Sequence, residues 1–600
     1  MIVPLLAAVL SAVQFTPPQS NYEPPGAEKT ASLAASTAAS PRDLLTPAET
    51  SNYTRTGRYA EAVEYARKLE KLSPWVRVEK FGTTPQGRDM IMLVVSKDRA
   101  FTPQAAARTG KPVIYIQNGI HSGEIAGKDA TFMLLRDIVI TKRFAGWLDH
   151  VILLVVPVFN IDGHERMSPY NRMNQNGPEE MGWRTTAQGL NLNRDYIKAD
   201  APEMRAFLKM YTAWLPEMLI DNHVTDGADY QYDLTISAPT QEEVWPTVGR
   251  WNAGFLKAVI AALDSDGHVC GRYADPRDPS DLSKGLVAWG TTPRFSDGYA
   301  AVQNRVGVLV ETHSLKRYRT RVWAHYDLMR HAIEYVAANP KALKDAVAQA
   351  DREIAGQTGR RLFVAGEAAD GPDKMVYRGL ARRMEKAEAI GGMYPVYGAE
   401  PVNETVTIYD RARATFEPVV PVAYAVPREW TSIIELLAAH GVPVETLESE
   451  RAADVETYTF SNVRWAQRPF EGRLRVSFET QVKSGSATLP AGTVLVPMNQ
   501  RAARVALSIL EPQAPDSAVS WGLMNTIFEQ KEYAEPYLLE PLAQRMLASD
   551  ARLRDEFAAR MKDPEFANSP AARRQFFYER SPYWDARKDA YPVLRVMRLN

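Results

Sequence analysis

The chain has 600 residues, 45% of them apolar and 24% charged, a balance that describes a globular protein and excludes collagen, coiled coil and wholesale disorder. Lys+Arg 71 against Asp+Glu 72 leaves a net charge of -1, without the basic excess of a general nucleic-acid binder. The single cysteine, Cys270, excludes an intrachain disulfide and any zinc site built from several thiolates.

The chain opens on an apolar run, Ile2–Val13 (IVPLLAAVLSAV). It is too short to span a bilayer and suits the apolar region of a signal peptide, although no basic residue precedes it. Residues 1–14 are therefore expected to be a cleaved leader. Secretion without an internal disulfide fits a bacterial periplasmic or secreted protein, with no stable membrane insertion after cleavage. Residues 15–48 carry six prolines and the stretch TASLAASTAAS, a composition that predicts a linker.

From residue 49 the pattern becomes regular. Tyr59–Leu72 has helical periodicity without a breaker. Val113–Gln117 (VIYIQ) is a short apolar strand, Ala126–Ile140 a helix, and Val151–Val158 (VILLVVPV) a strand buried on both faces. Ala201–Trp214 is helical, Met218–Ile220 apolar, Trp251–Leu263 helical, Val306–Val310 (VGVLV) a buried strand, and His325 to about Ile354 helical. This alternation predicts an α/β domain over 49–355, a mixed, mostly parallel sheet flanked by helices. Residues 356–600 read as a C-terminal α+β accessory domain of unassigned role. Pro421–Leu447 runs strand, helix, strand; Gly472–Val496 alternates; and from Tyr537 the pattern is helical.

The chemistry sits where the apolar strands end, the place at which α/β sheets carry their sites. After VIYIQ comes NGIHSGE, with His121 and Glu124 three apart; after Leu219-Ile220 comes Asp221-Asn222-His223; after VGVLV comes Glu311. Each alone has a bland explanation, a helix cap, a core histidine or a solvated carboxylate. Together they supply two imidazoles and a carboxylate, a set that binds zinc and leaves a position open for water. A further carboxylate is what such a water needs as general base. Arg184 opens the segment RTTAQGLNLNRDY, which also holds Asn193 and Arg194. Guanidinium groups suit a developing oxyanion and a substrate carboxylate.

With TTPQGRDM (Thr83–Met90), HSGE, NIDG (Asn160–Gly163), RTTAQGLNLNRDY, His223 and VETHS in this order, the stretch from Asn52 to Ser314 resembles the zinc carboxypeptidases of the carboxypeptidase A type. The resemblance implies one zinc per chain on His121, Glu124 and His223. It implies Glu311 as general base and proton donor, Arg184 at the scissile carbonyl, and Asn193 with Arg194 on the terminal carboxylate of a peptide substrate. Tyr299 is the nearest match to the family's mobile substrate tyrosine, and Arg172 rivals Arg184. Two departures stand out: Asn191 replaces the aspartate that orients a zinc histidine, and Asp195 adds an acid beside Arg194. Ser168–Gly182 is expected to form a rim loop. Ser296 and Asp297 lie where the family lines its side-chain pocket, and an acid there favours basic side chains.

These features predict a zinc metallocarboxypeptidase. The alternative on the same zinc site is a murein-peptide amidase or an N-acyl amino acid amidohydrolase. A silent binding protein on this scaffold is disfavoured by the full ligand set with Glu311, and no G-x-S-x-G elbow marks a serine hydrolase. Oligomerisation is left open.

Overall fold

The structure is a computed structural model that describes residues 18–239, 242–278, 281–288, 290–369 and 373–600. The expected leader lies outside the described residues. The chain divides into two compact units. Among the described residues, the first comprises those up to 422 with 430–445 and 496–517, and the second 423–429, 446–495 and 518–600.

The first unit is built on an eight-stranded sheet. Its strands are β1 Val76–Thr83, β2 Asp89–Val95, β3 Val113–Asn118, β4 Ile152–Val156, β5 Met218–Thr225, β6 Leu234–Ser237, β7 Cys270–Arg272 and β8 Val306–His313. Their spatial order is β1-β2-β4-β3-β5-β8-β6-β7. The centre, β4-β3-β5-β8, is parallel; β1 and β2 join antiparallel at one side, and β6 runs antiparallel to β8 at the other. Every residue of β3 and β4 is buried, which is why both read as unbroken apolar runs. Helices flank the sheet. Ala126–Val139 packs against Tyr318–Ala338, which also meets Pro246–Ser265.

Local sequence rules explain several boundaries. In the helix Tyr59–Leu72 the buried residues Tyr59, Ala62, Tyr65, Ala66 and Leu69 form one stripe. The Arg58 amide at its start donates to Glu61 at 2.8 Å. The long helical run expected from His325 is two helices, Tyr318–Ala338 and Pro340–Ala355. Pro340 cannot continue the first but suits the first turn of the second.

Two expectations about organisation are corrected. From residue 18 on, the stretch expected to be a linker is folded: it forms the helix Ala31–Ala38, with Leu33 and Ser36 buried. Buried Arg136 donates to Ser36 Oγ at 2.9 Å and pairs with Glu49 at 2.7 Å. Ala/Ser-rich sequence has adequate helix propensity once a packing face is supplied. The boundary placed at 355/356 falls inside the first unit, which continues to 422 and takes up 430–445 and 496–517 as well.

The second unit is α+β. Strands Ala423–Val426, Leu594–Leu599, Arg451–Trp465 and Val476–Leu489 pair antiparallel in that order. Ala423, Ala425, Ala453, Val455, Leu489 and Val596 close their core. The helices that follow Pro536 carry a cluster of their own around Leu539, Leu553, Phe566, Phe576 and Phe577. Among the described residues no helix is long and apolar enough to cross a membrane.

Candidate metal centre and active site

The site forms at the carboxyl ends of β3, β5 and β8. After β3 the chain turns through Gly119, which has a φ of 63°, and His121–Glu124 make a tight turn closed by the Glu124 amide on the His121 carbonyl at 2.9 Å. His223 lies within β5, and Glu311 is its register partner on β8.

His121, Glu124 and His223 are all buried, and one ligand atom from each lies within 4.8 Å of the others. Both imidazoles turn Nδ1 toward the same carboxylate: His121 Nδ1 is 3.1 Å from Glu124 Oε1, and His223 Nδ1 is 3.0 Å from Oε2. Both turn Nε2 outward, His121 to Asn191 Oδ1 at 2.9 Å and His223 to Asp221 Oδ2 at 2.8 Å. Asn191 Oδ1 also accepts from the Asn193 amide at 3.0 Å, so it is an acceptor and His121 Nε2 is the donor. Burial pushes His121 down to about 4, which keeps the ring neutral and leaves a lone pair on Nδ1. That nitrogen is buried without a hydrogen-bond partner and faces a carboxylate oxygen. A lone pair opposed to a carboxylate needs a cation between them, and two imidazoles with a carboxylate are a donor set that suits zinc. For His223, burial pulls the imidazole down, but Asp221 and Glu124 outweigh it and hold it well above its ordinary range.

The three residues open onto a cavity of about 380 Å³ that also exposes Arg172, Arg184, Asn193, Arg194 and Glu311. Glu311 Oε2 is buried without a hydrogen-bond partner. Burial first, and then the Glu124 and Asp221 carboxylates, raise this acid above the ordinary range, against the pull of His223. The two arginines differ. Arg184 is 43% exposed and meets Glu124 Oε1 through one N–H at 3.2 Å; Arg172 is 11% exposed and meets the same oxygen at 2.8 Å. Arg194 stacks on Phe295 at 4.5 Å from the ring centre and donates to the Asn193 carbonyl at 2.7 Å. Asn193 Oδ1 accepts from the Ser296 amide at 3.3 Å. The Asp195 carboxylate turns away from the cavity, accepting from Lys198, from the Asp200 amide at 3.1 Å and from the Ala201 amide at 2.9 Å. It organises that loop.

The expectation for Tyr299 is corrected. It is fully buried and is not among the residues that line the cavity. Its hydroxyl donates to His440 Nδ1 at 3.0 Å and accepts from Gln303 at 2.9 Å, while His440 Nε2 donates to the Ile197 carbonyl at 3.0 Å. The tyrosine on the cavity wall is Tyr273, which directly follows β7. Its hydroxyl is raised by burial and then by the Glu311 carboxylate. A three-residue strand gives too little pattern for sequence reasoning to find it. The segment expected to be a rim loop does more than shape the mouth, because it carries Arg172 into the cavity. Glu243 was also missed, a side chain from a stretch with no motif, set in the cavity wall beside Asp297.

A buried two-histidine, one-carboxylate set with a further carboxylate beside it, at the strand ends of a mixed α/β sheet, is the arrangement a metal-dependent hydrolase requires. Residues 62–262 match the family model described as zinc carboxypeptidase. The chain is similar to carboxypeptidase 2 of Trichophyton rubrum, 22% identical over 480 residues that cover 77% of this chain and 82% of that protein. It is equally similar to carboxypeptidase 2 of Trichophyton tonsurans, 22% identical over 483 residues with the same coverage of 77% and 82%. The crystal structure of carboxypeptidase A from Helicoverpa armigera covers 48% of this chain and 75% of that one, at 16% identity and a TM-score of 0.37. The family-model match, over residues 62–262, is therefore a likeness to the zinc carboxypeptidases in about a third of the chain. That match takes in His121, Glu124, Arg184, Asn193, Arg194 and His223 and ends before Glu311.

Proposed function

We propose that the chain releases C-terminal residues from peptides, with one zinc ion per chain held by His121, Glu124 and His223. The observation that carries this reading is that Asn193 and Arg194 open onto the same cavity as the metal-binding set and Glu311. When bound, zinc supplies Lewis acidity toward the carbonyl and lowers the pKa of water. Glu311 takes a proton from the attacking water and delivers it to the leaving amine, which is the work of an acid whose affinity for protons burial has raised. Arg184, half exposed and loosely tied, donates to the oxyanion. Arg194 and Asn193 receive the terminal carboxylate, and stacking on Phe295 fixes the guanidinium for it. The leader directs the chain out of the cytoplasm.

Mass spectrometry of a peptide mixture, incubated with and without chelator, tests this. Stepwise loss of C-terminal residues from free but not amidated ends, abolished by chelator and restored by zinc, is the expected result. Cleavage confined to murein fragments or N-acyl amino acids would move the activity to an amidase on the same site. No amide hydrolysis in a zinc-loaded sample would end the proposal.

A further inference from the structure

Gly123 stands between two of the proposed metal ligands, and its lack of a side chain has a specific use. A Cβ at this position would lie 2.3 Å from Arg172 Cδ and 2.8 Å from the Gly182 carbonyl oxygen, distances that admit no carbon. The space is filled by the aliphatic stem of Arg172. Arg172 arrives on a segment whose ends are tied by two backbone hydrogen bonds between Ser168 and Met181, at 3.1 and 3.2 Å.

Each nitrogen of the Arg172 guanidinium has a partner. Nε donates to Gln175 Oε1 at 2.7 Å, and Gln175 Nε2 donates to the Gly123 carbonyl at 2.9 Å. Nη1 donates to Glu124 Oε1 at 2.8 Å, and Nη2 to the Val224 carbonyl at 3.3 Å. The Val224 amide donates to Glu124 Oε2 at 3.0 Å. One guanidinium thus ties the Glu124 carboxylate to the strand that carries His223. A glutamate carboxylate otherwise turns through a broad torsional well, and the planar Arg fork is suited to stopping it.

We infer that Arg172 is a positioning residue: it locks the Glu124 carboxylate in the orientation that meets the two imidazoles, and Gly123 exists to let it pass. This rests on the reading of Glu124 as a metal ligand. It also separates the two arginines at the site, since the buried one holds Glu124 more closely, at 2.8 Å, and the exposed Arg184, which meets it through one N–H at 3.2 Å, keeps further donors for substrate. A positive charge close to a dication opposes binding, while loss of a partner that orients a ligand typically lowers metal affinity about 10- to 100-fold. The second effect prevails here, because Arg172 ties Glu124 to Val224 on the strand that carries His223.

Competition titration of the full chain against a chromophoric zinc chelator decides the matter, using wild type, Glu124→Gln, Arg172→Met, Arg172→Lys and Gly123→Ala. Arg172→Met and Gly123→Ala are expected to weaken zinc binding by about 10-fold or more. Arg172→Lys, which keeps the charge and loses the fork, is expected to recover only part of that loss. Saturating zinc should restore much of kcat with KM near that of wild type. Gly123→Ala keeps the guanidinium but displaces its stem and presses on the Gly182 carbonyl, so Arg172→Lys, read beside it, gives the answer if Arg172→Met does not fold. Zinc affinity unchanged or tighter in folded Gly123→Ala and Arg172 variants would overturn the inference. Zinc affinity unchanged in Glu124→Gln, or no zinc binding by wild type, would instead overturn the reading of the ligand set.

Discussion

Glu311 and His223 are register partners on adjacent parallel strands, so the carboxylate and the imidazole leave the sheet side by side into one cavity. The strand pairing brings together residues far apart in the chain without help from any loop. Replacing Glu311 by Gln keeps the shape and removes the proton acceptor. Turnover should fall about 10²- to 10⁴-fold with zinc content unchanged. Because burial opposes the charge at this position, the variant should melt no lower than wild type. Wild-type kcat in a zinc-loaded Glu311→Gln protein would remove Glu311 from the mechanism.

Arg194 should act on binding more than on turnover. Arg194→Met withdraws a charged hydrogen-bond partner worth about 1.5–3 kcal/mol, roughly a ten- to hundredfold rise in KM for peptides with a free C-terminus. Amidated substrates should bind equally weakly to wild type and variant. Phe295→Leu, which removes the surface on which the guanidinium lies, should raise KM in the same direction by less. A KM indifferent to Arg194→Met would place the terminal carboxylate elsewhere.

The acids of the cavity wall should favour basic C-terminal side chains. Asp297 accepts from Thr291 Oγ1 at 2.7 Å and from the Gly298 amide at 2.9 Å, and Glu243 accepts from the Gly290 and Thr291 amides. Burial raises both acids, Glu243 to about 7. An entering ammonium or guanidinium would offset that penalty. Release of Lys and Arg should exceed that of Leu and Phe, and the ratio should grow as pH rises through about 7, where Glu243 gives up its proton. Asp297→Asn should narrow it. Preferential release of apolar residues across the whole pH range would refute this assignment of the wall.

Stability should fall in alkali for a reason unrelated to the active site. His268 Nδ1 lies 2.5 Å from Asp233 Oδ2 and Nε2 lies 3.2 Å from Asp327 Oδ2, with the ring stacked on Trp323. Burial pulls this imidazole down, yet the two carboxylates raise it to about 9. A raised histidine stabilises the fold fully below its unfolded pKa of about 6.5 and loses that contribution as pH climbs through the folded value. The difference corresponds to about 3 kcal/mol. Denaturant unfolding at pH values below and above this window should show the loss in wild type and a flatter profile in His268→Gln. Equal slopes in the two proteins would rule out His268 as the cause.

Much of the candidate site was legible because parallel strands announce their ends. His121, His223 and Glu311 each follow an apolar run that needs no tertiary information to recognise. The helix Tyr59–Leu72 has the bounds its periodicity predicts. What escaped depends on contacts between distant segments. Tyr299 stands at a plausible distance before Glu311, but its burial is set by His440, far along the chain. Leu33 is buried against partners that no local pattern in the Ala/Ser-rich stretch reveals. Arg172 resembles any arginine in a polar loop until Gly123 and Gln175 are seen around it.

The first unit draws its last pieces from residues 430–445 and 496–517. The Tyr299 hydroxyl bonds to His440, the Asn304 amide to the Arg501 carbonyl at 2.9 Å, and the Glu243 carbonyl to Arg504 at 2.7 Å. Synthesis runs from the amino terminus, and domains complete themselves as their residues emerge. A nascent chain that has exposed all of its proposed metal ligands therefore still has gaps behind the cavity wall. The first unit finishes only when residue 517 has cleared the ribosome, by which point 423–429 and 446–495 of the second unit have already been made.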